Sequence, residues 1–146
     1  MLESLAGVTV LVPSYDDGLV FFRDVLGFTV LEDTPLSPNK RWVVVAPSSG
    51  ASAALVLAIP SDEHQRARVG DQTGGRVGFF LHSGDFWADY EKLLRRGVNF
   101  VEVPRHEAYG LVAVFVDPWG GKWDLLQPAS EAAETRSCRN AMRFVL

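Results

Sequence analysis

Two stretches of the chain, Val8–Val25 (VTVLVPSYDDGLVFFRDV) and Val77–Leu94 (VGFFLHSGDFWADYEKLL), follow one pattern of residue classes at an offset of 69. Each begins with an apolar run that is typical of a buried strand and continues into apolar residues spaced three and four apart, which indicates a helix. At an offset of 71, Pro47–Gly50 then falls on Pro118–Gly121. The sequence therefore predicts an internal repeat of two related halves.

The first half is predicted to have the order βαβββ. The strand Gly7–Val12 precedes a helix that Ser14 caps and Gly27 ends, because a serine side chain accepts a backbone hydrogen bond and glycine tolerates the final turn. The prolines of the segment Thr34–Asn39 predict a loop. The remaining strands of this half are predicted near Phe28–Glu32, Arg41–Ala46 and Ala53–Ile59.

The second half is predicted to repeat this order. A helix over about Asp85–Arg95 ends at Gly97, and the stretch Asp117–Gly120 (DPWG) has the residues of a tight turn before the last strand. The four strands are predicted near Arg76–His82, Val98–Val103, Leu111–Val116 and Lys122–Gln127.

These patterns predict one α+β domain over residues 1–128. Module one covers about residues 6–60 and module two about residues 75–128. The polar connector 61–74 is expected to hold a short helix capped by Ser61. The tail, residues 129–146, permits a helix that ends in an apolar segment, and no function is assigned to it.

Composition narrows the class of protein. The chain has 146 residues, of which 47% are hydrophobic, as in globular domains. Its 14 Lys and Arg against 18 Asp and Glu give a net charge of −4, which argues against a nucleic acid or an anionic membrane as partner. A single cysteine, Cys138, and the lack of a signal peptide or of a run near the roughly 20 apolar residues of a membrane span predict a cytoplasmic protein.

The helix exit Phe21–Phe28 (FFRDVLGF) and the DPWG turn, set in paired βαβββ modules, resemble the vicinal oxygen chelate superfamily of glyoxalases, bleomycin resistance proteins and extradiol dioxygenases. The resemblance covers about Gly7–Gln127. It implies a glyoxalase-like fold, in which two tandem modules form a curved, cup-like mixed sheet, and it implies a homodimer. Function does not follow from the fold, because this fold carries unrelated chemistries.

In metal-using members of that superfamily, the first and last strands of each module provide four ligands. The corresponding positions here are Gly7, Ala53, Arg76 and Asp124. Glycine and alanine carry no donor atom, and arginine stays protonated. A shift of one or two residues does not supply ligands either, because it reaches Val8, Thr9, Val77 and Gly78. We therefore expect no metal and no cofactor, since catalytic zinc needs about three protein ligands.

Arg76 and Asp124 are predicted to lie on neighbouring strands and to form an ion pair where a metal would otherwise sit. Period-two alternation then extends the prediction along the strand of Arg76. Phe80 and His82 are expected to point into the cup, and Val77 and Phe79 toward the helices.

Other candidates come from loops and strand ends. Trp42 and Trp119 could stack on a planar ligand or fill a dimer interface, and Tyr109 and Arg41 are further candidates at the rim. His106 lies in the loop 104–110, which is expected to border the cup. No residue is assigned a catalytic role. Ligand contacts are predicted at Arg76, Asp124, Phe80, His82, Trp42 and Tyr109.

The leading hypothesis is a metal-free protein, similar to bleomycin resistance proteins, that binds a small, partly aromatic or amphipathic molecule. One alternative is a divergent metal-dependent lyase or dioxygenase-like enzyme that uses Asp124 with His82 or His106. Another is a non-catalytic interaction module. Whether the modules pair within a chain or across a dimer is left open.

Overall fold

A computed structural model describes residues 1–129, and the chain divides into two compact units, one of residues 1–72 and a second that begins at Thr73. The predicted α+β class is confirmed, since each unit combines a mixed sheet with at least one helix. Between residues 1 and 129, no helix is both long enough and apolar enough to cross a bilayer.

The first unit holds a four-stranded sheet with the strand order β1-β4-β3-β2. Strand β1 runs parallel to β4, whereas the pairs β4–β3 and β3–β2 are antiparallel. The strands are β1 (Val8–Leu11), β2 (Thr29–Ser37), β3 (Lys40–Ala46) and β4 (Leu55–Ala58).

The helix of this unit begins where the sequence predicts. Helix α1 spans Tyr15–Leu19, and the Ser14 hydroxyl accepts a hydrogen bond of 3.0 Å from the amide of Asp17. The chain then continues as a π-helix over Val20–Val25, after which the amide of Leu26 bonds the carbonyl of Phe21, five residues earlier. Phe22 in this π-helix is fully buried, and so are Val43 and Val45 in the sheet.

A glutamine side chain covers the outer edge of β1. The Gln72 carbonyl oxygen accepts a hydrogen bond of 2.7 Å from the amide of Leu11, and its amide nitrogen donates one of 3.0 Å to the carbonyl of Thr9. One side-chain amide thus pairs with the two backbone groups that a further strand would otherwise bond.

The second unit holds a five-stranded sheet in which β5, β9, β8 and β6 lie side by side and β7 pairs with β8. Strand β5 runs parallel to β9, and the other pairs are antiparallel. The strands are β5 (Val77–His82), β6 (Asn99–Phe100), β7 (Arg105–Glu107), β8 (Gly110–Val116) and β9 (Lys122–Pro128).

Helix α3, Phe86–Arg95, covers one face of this sheet, and Asp85 caps it through a hydrogen bond of 3.2 Å from the amide of Ala88. An aromatic row crosses that face: Trp123 stacks on Phe79 at 4.0 Å and lies 5.8 Å from Phe115. Trp123 is 1% exposed, so this aromatic row belongs to the core of the second unit.

Four local predictions are wrong. Strand β2 continues through Pro35 to Ser37 instead of ending at Glu32, because an edge strand tolerates a residue without an amide hydrogen. The strand predicted over Val98–Val103 is reduced to Asn99–Phe100, and the predicted rim loop contains strand β7. In the connector, helix α2 (Glu63–Arg66) is capped by Asp62 and not by Ser61. The helix predicted for the tail lies outside the described residues.

Candidate functional site

The face of the second sheet that α3 does not cover carries the candidate site, and we call it the Asp124 face. Residues paired across neighbouring strands have side chains on one side of a sheet. Phe80 pairs with Asp124, which pairs with Val114. One step along, His82 pairs with Leu126, Leu126 with Val112, and Val112 with Arg105. The register therefore brings the predicted residues Phe80, His82 and Asp124 to one face.

Asp124 is the buried polar residue of this face. It is 5% exposed, and within residues 1–129 its buried oxygen Oδ1 accepts no hydrogen bond. Burial raises the pKa of the Asp124 carboxyl to about 6, the charge of Arg105 lowers that pKa, and the charge of Glu102 raises it. The face thus offers one desolvated hydrogen-bond acceptor among apolar neighbours.

Arg105 is the cation whose charge acts on the Asp124 carboxyl, and it forms ion pairs with two glutamates. Its guanidinium lies 3.7 Å from a carboxylate oxygen of Glu102 and 3.5 Å from one of Glu107. Tyr109 follows in the turn between β7 and β8. Burial raises the pKa of its hydroxyl, the charge of Arg105 lowers that pKa, and the charges of Glu107 and Asp124 raise it. Arg105 and Glu102 were not among the site residues predicted from the sequence. The signal that could have identified them is the series of charged residues at 102, 105 and 107.

The predicted alternation breaks at the start of β5. Val77 pairs with Lys122 and Phe79 with Trp123, so Gly78 is an extra residue in the ladder. Because of the bulge, Val77 lies on the Asp124 face, contrary to the prediction that it points toward the helices. The alternation of side chains along the strand then no longer predicts that Arg76 lies on that face. Arg76 lies outside β5, the residue across from Asp124 is Phe80, and Oδ1 of Asp124 accepts no hydrogen bond from Arg76.

The histidines of the second unit are exposed. His82 ends β5 on the Asp124 face, opposite Leu126. His106 lies on β7, where it pairs with Leu111, whereas Arg105 and Glu107 flank it on the other side of the strand. The alternation of β7 therefore directs His106 away from the face that carries Asp124.

Trp42 belongs to the first unit, on the sheet face opposite the helix. It is 42% exposed and pairs with Thr34, and Val44 follows it on the same face. Its neighbour Arg41 donates hydrogen bonds of 2.6 and 3.0 Å to Asp33 and one of 2.9 Å to Asp16 in α1. Arg41 therefore joins the β2–β3 hairpin to α1 and is not a free cation for a ligand.

The two units correct the offset of the internal repeat. The amide of Val12 bonds the carbonyl of Ala58, and the amide of Ser83 bonds that of Leu126 in the same way. Val12 therefore corresponds to Ser83, and Ala58 corresponds to Leu126. Counting back along the first strand of each unit from this match, the counterpart of Gly7 is Gly78 and not Arg76. The counterpart of Asp124 is Val56 and not Ala53. The helix caps, Ser14 and Asp85, agree with this register.

The corrected register does not provide a metal site. Gly7, Val56 and Gly78 carry no ligand atom, which leaves the single carboxylate of Asp124. Within residues 1–129, no group of three or more His, Cys, Asp or Glu side chains is arranged to hold a metal ion. The residues at these positions therefore do not fit a divalent cation.

Comparison with known proteins agrees with the fold. The family model "Glyoxalase/Bleomycin resistance protein/Dioxygenase superfamily" matches residues 4–125. An uncharacterized protein from Shewanella frigidimarina is 41% identical over 128 residues, which cover 87% of this chain and 95% of that protein.

Solved structures with the same fold include several at 30% identity or more. The crystal structure of UcmS2 has a TM-score of 0.74 and 32% identity, and it covers 86% of this chain and 98% of UcmS2. TnmS3, an antibiotic binding protein from a Streptomyces species, has a TM-score of 0.73 and 30% identity over 88% of this chain and 98% of its own.

Proposed function

Since the chain belongs to the glyoxalase/bleomycin resistance protein/dioxygenase superfamily, we propose that it binds a small, partly aromatic or amphipathic molecule on the Asp124 face, without a metal ion. Phe80, His82, Asp124 and Tyr109 are the proposed contacts there. Trp42 and Arg76 remain proposed contacts whose substitution is to be tested separately.

The observation that carries this proposal is the combination of Asp124 and Phe80. A buried carboxylate oxygen without a hydrogen bond lies across from a phenyl ring that is 44% exposed. Small-molecule sites are mainly apolar with a few polar groups that fix orientation, and this face has that composition. The similarity to TnmS3, described as an antibiotic binding protein, supports an antibiotic-like ligand.

Metal-dependent lyase or dioxygenase chemistry is the weaker alternative because of the donor set. One carboxylate at the four family positions leaves a divalent ion short of ligands, and the exposed His106 lies on the wrong side of β7 to complete the set. If no small molecule binds, a non-catalytic interaction module becomes the favoured alternative.

Isothermal titration with metal-free bleomycin and with doxorubicin, in buffer that contains EDTA, tests the proposal. We expect saturable binding of at least one antibiotic with one site per chain. Phe80→Ala should weaken that binding by about fivefold, because an aromatic contact is worth on the order of 1 kcal/mol. Leu94→Ala on α3 is the matched control, since Leu94 is also exposed, at 45%, and lies away from the Asp124 face.

The absence of binding in both titrations, or an equal loss in Phe80→Ala and Leu94→Ala, would overturn the proposed site. Trp42→Ala and Arg76→Ala, measured in the same titration, determine whether those two residues also contact the ligand.

The proposal includes a cytoplasmic homodimer. The single cysteine of the chain suits a reducing compartment such as the cytoplasm. Within the described residues, strand β2 has one unpaired edge, which a second copy of the chain could cover. Analytical ultracentrifugation of the full chain tests the dimer, and a single species with the mass of one chain would contradict it.

A further inference from the structure

We propose that the ligand of the Asp124 face is an arylalkylamine: a cationic nitrogen donates a hydrogen bond to Oδ1 of Asp124, and the aromatic ring to which it is attached lies on Phe80. This inference rests on the proposed function, because it specifies the chemistry of the molecule that binds there.

The unbonded oxygen indicates a donor on the ligand. Buried polar atoms in folded proteins almost always have hydrogen-bond partners, and a buried acceptor without one costs free energy. Oδ1 of Asp124 is such an acceptor within residues 1–129, in a residue that is 5% exposed. A ligand that donates to Oδ1 recovers this free energy, whereas a ligand without a donor leaves it unrecovered.

The surrounding charges favour a cation over a neutral donor. Arg105 and Glu102 are the charged residues that act on the Asp124 carboxyl, with opposite signs. The Arg105 guanidinium already pairs with Glu102 and Glu107, so its charge is shared. Arg105 is thus engaged by the two glutamates, which leaves Asp124 for a cation on the ligand. Hydrogen bonds from a cationic donor to a carboxylate are about twice as strong as neutral ones.

The register limits the distance between the nitrogen and the ring. Phe80 and Asp124 are direct partners on adjacent parallel strands, which lie about 4.8 Å apart. We therefore expect a ring on Phe80 and a nitrogen bonded to Oδ1 to be joined by a short spacer of one or two carbon atoms. Aromatic amines with a long spacer do not fit this geometry.

Four probes with one ring system test the inference by isothermal titration of the full chain. They are 2-(aminomethyl)naphthalene, 2-naphthalenemethanol, 2-ethylnaphthalene and 2-naphthylacetate, which present a cation, a neutral donor, no donor and an anion. We expect the amine to bind at least about tenfold more tightly than the hydrocarbon, and the anion to bind most weakly, as a charge-assisted hydrogen bond implies.

Asp124→Asn should remove this preference, because the amide keeps the size of the side chain and loses the negative charge. Glu91→Gln, an exposed carboxylate on α3, is the matched control and should keep the preference. If Asp124→Asn does not fold, as thermal denaturation would reveal, the comparison of the four probes on the unmodified chain decides the question.

The outcomes separate the two proposals. If the hydrocarbon binds as tightly as the amine, or if Asp124→Asn keeps the preference for the amine, the arylalkylamine inference is overturned and the binding site stands. If none of the four probes binds and neither antibiotic binds, the proposed function falls, and the inference falls with it.

Discussion

Asp124 makes the stability of the protein depend on pH in an unusual direction. Burial raises the pKa of its carboxyl from 3.8 to about 6 in the folded chain. Between these values the folded state holds a proton that the unfolded state has released, so stability falls as the pH rises through this range. We expect the free energy of unfolding of the unmodified chain to drop by roughly 2–3 kcal/mol between about pH 4 and about pH 7, relative to Asp124→Asn.

Urea denaturation of both proteins across that pH range checks this expectation. The difference between them isolates Asp124, because the carboxylates whose pKa is lowered, such as Asp33, contribute equally to both. Parallel pH profiles for the two proteins would mean that Asp124 carries no penalty when it is ionised.

Gly110 is the glycine whose replacement should cost most. Its φ of +139° disfavours other residues, and an added Cβ would clash with the backbone carbonyl of Gln127 on β9. We expect Gly110→Ala to lower the free energy of unfolding by at least about 2 kcal/mol. Gly50→Ala, where an added Cβ meets nothing within 4 Å, is the control and should change it little. Equal losses in urea denaturation would contradict this account of Gly110.

Single residues with strong local preferences were predictable from the sequence. Ser14 caps α1 through its hydroxyl. Gly27 and Gly97 adopt positive φ at helix ends, which glycine tolerates because it lacks a Cβ atom. The unbonded oxygen of Asp124 was not predictable, because a missing hydrogen-bond partner depends on every neighbour in space. The bulge at Gly78 was missed for a similar reason, since alternation in sequence does not reveal an extra residue in a ladder.

At the scale of elements, Arg41 links the β2–β3 hairpin to α1 through two carboxylates in different environments. Asp33 is one-third exposed and receives two hydrogen bonds, which lower its pKa, whereas Asp16 is 86% exposed and receives one. In double-mutant cycles with Arg41→Met, we expect a coupling energy of about 0.5–1 kcal/mol for Asp33→Asn, since bidentate pairs are the stronger ones. The coupling for Asp16→Asn should be close to zero.

Urea denaturation of the single and double variants provides both coupling energies, and added salt should reduce the larger one. A stronger coupling to Asp16 than to Asp33 would show that exposure does not govern this cluster. The cycle also removes the loss of the contact between Arg41 and the ring of Tyr15, which is common to both arms.

The turn before β9 depends on the buried side chain of Asp117. One of its oxygens accepts hydrogen bonds from the amides of Trp119 and Gly121, at 3.0 and 2.8 Å, and the other accepts the Trp123 indole hydrogen at 3.0 Å. We expect Asp117→Ala to lower the free energy of unfolding by roughly 2–4 kcal/mol, because three donors lose their partner.

Asp62→Ala is the control for this turn, because Asp62 also accepts a backbone amide but is exposed. Its loss in urea denaturation should be about 1 kcal/mol or less, as for an ordinary helix cap. A smaller loss in Asp117→Ala than in Asp62→Ala would mean that burial adds nothing at the turn.

The elements whose nature is decided locally were predictable, and those decided by pairing were not. Helix α3 and strands β3, β5, β8 and β9 follow apolar periodicity in the sequence. Strand β2 extends through Pro35 because β3 lies beside it along its whole length, and β7 forms because β8 offers its edge. Both pairings depend on what the neighbouring strand and the sheet edge offer, and the strand propensity of the segment itself does not reveal this.

At the scale of the whole molecule, the repeat and the family were evident from the sequence, but the register of the repeat was not. Ser83 and Asp85 both suit a helix cap, and matching Ser14 to Ser83 gave an offset of 69. In the structure Asp85 is the cap, and Ser83 accepts a bond from the amide of Asp85 and donates to Asp89. The correction exchanges Arg76 and Ala53 for Gly78 and Val56, and neither pair brings metal ligands.

The corrected register leads to a prediction about the whole protein in the presence of metal ions. A ligand at a concentration of 100 times its Kd stabilises a folded protein by about 2.7 kcal/mol, which for a chain of this size raises the Tm by roughly 5–10 °C. Asp124 is the one residue with a metal-binding atom at the four family positions. We therefore expect Zn²⁺ and Mn²⁺ to leave the Tm of the full chain unchanged. Asp124→Asn should behave in the same way, and the metal content after dialysis should be far below one ion per chain by mass spectrometry. A rise in Tm that disappears in Asp124→Asn, together with one retained ion per chain, would contradict the metal-free proposal and favour the enzymatic alternative.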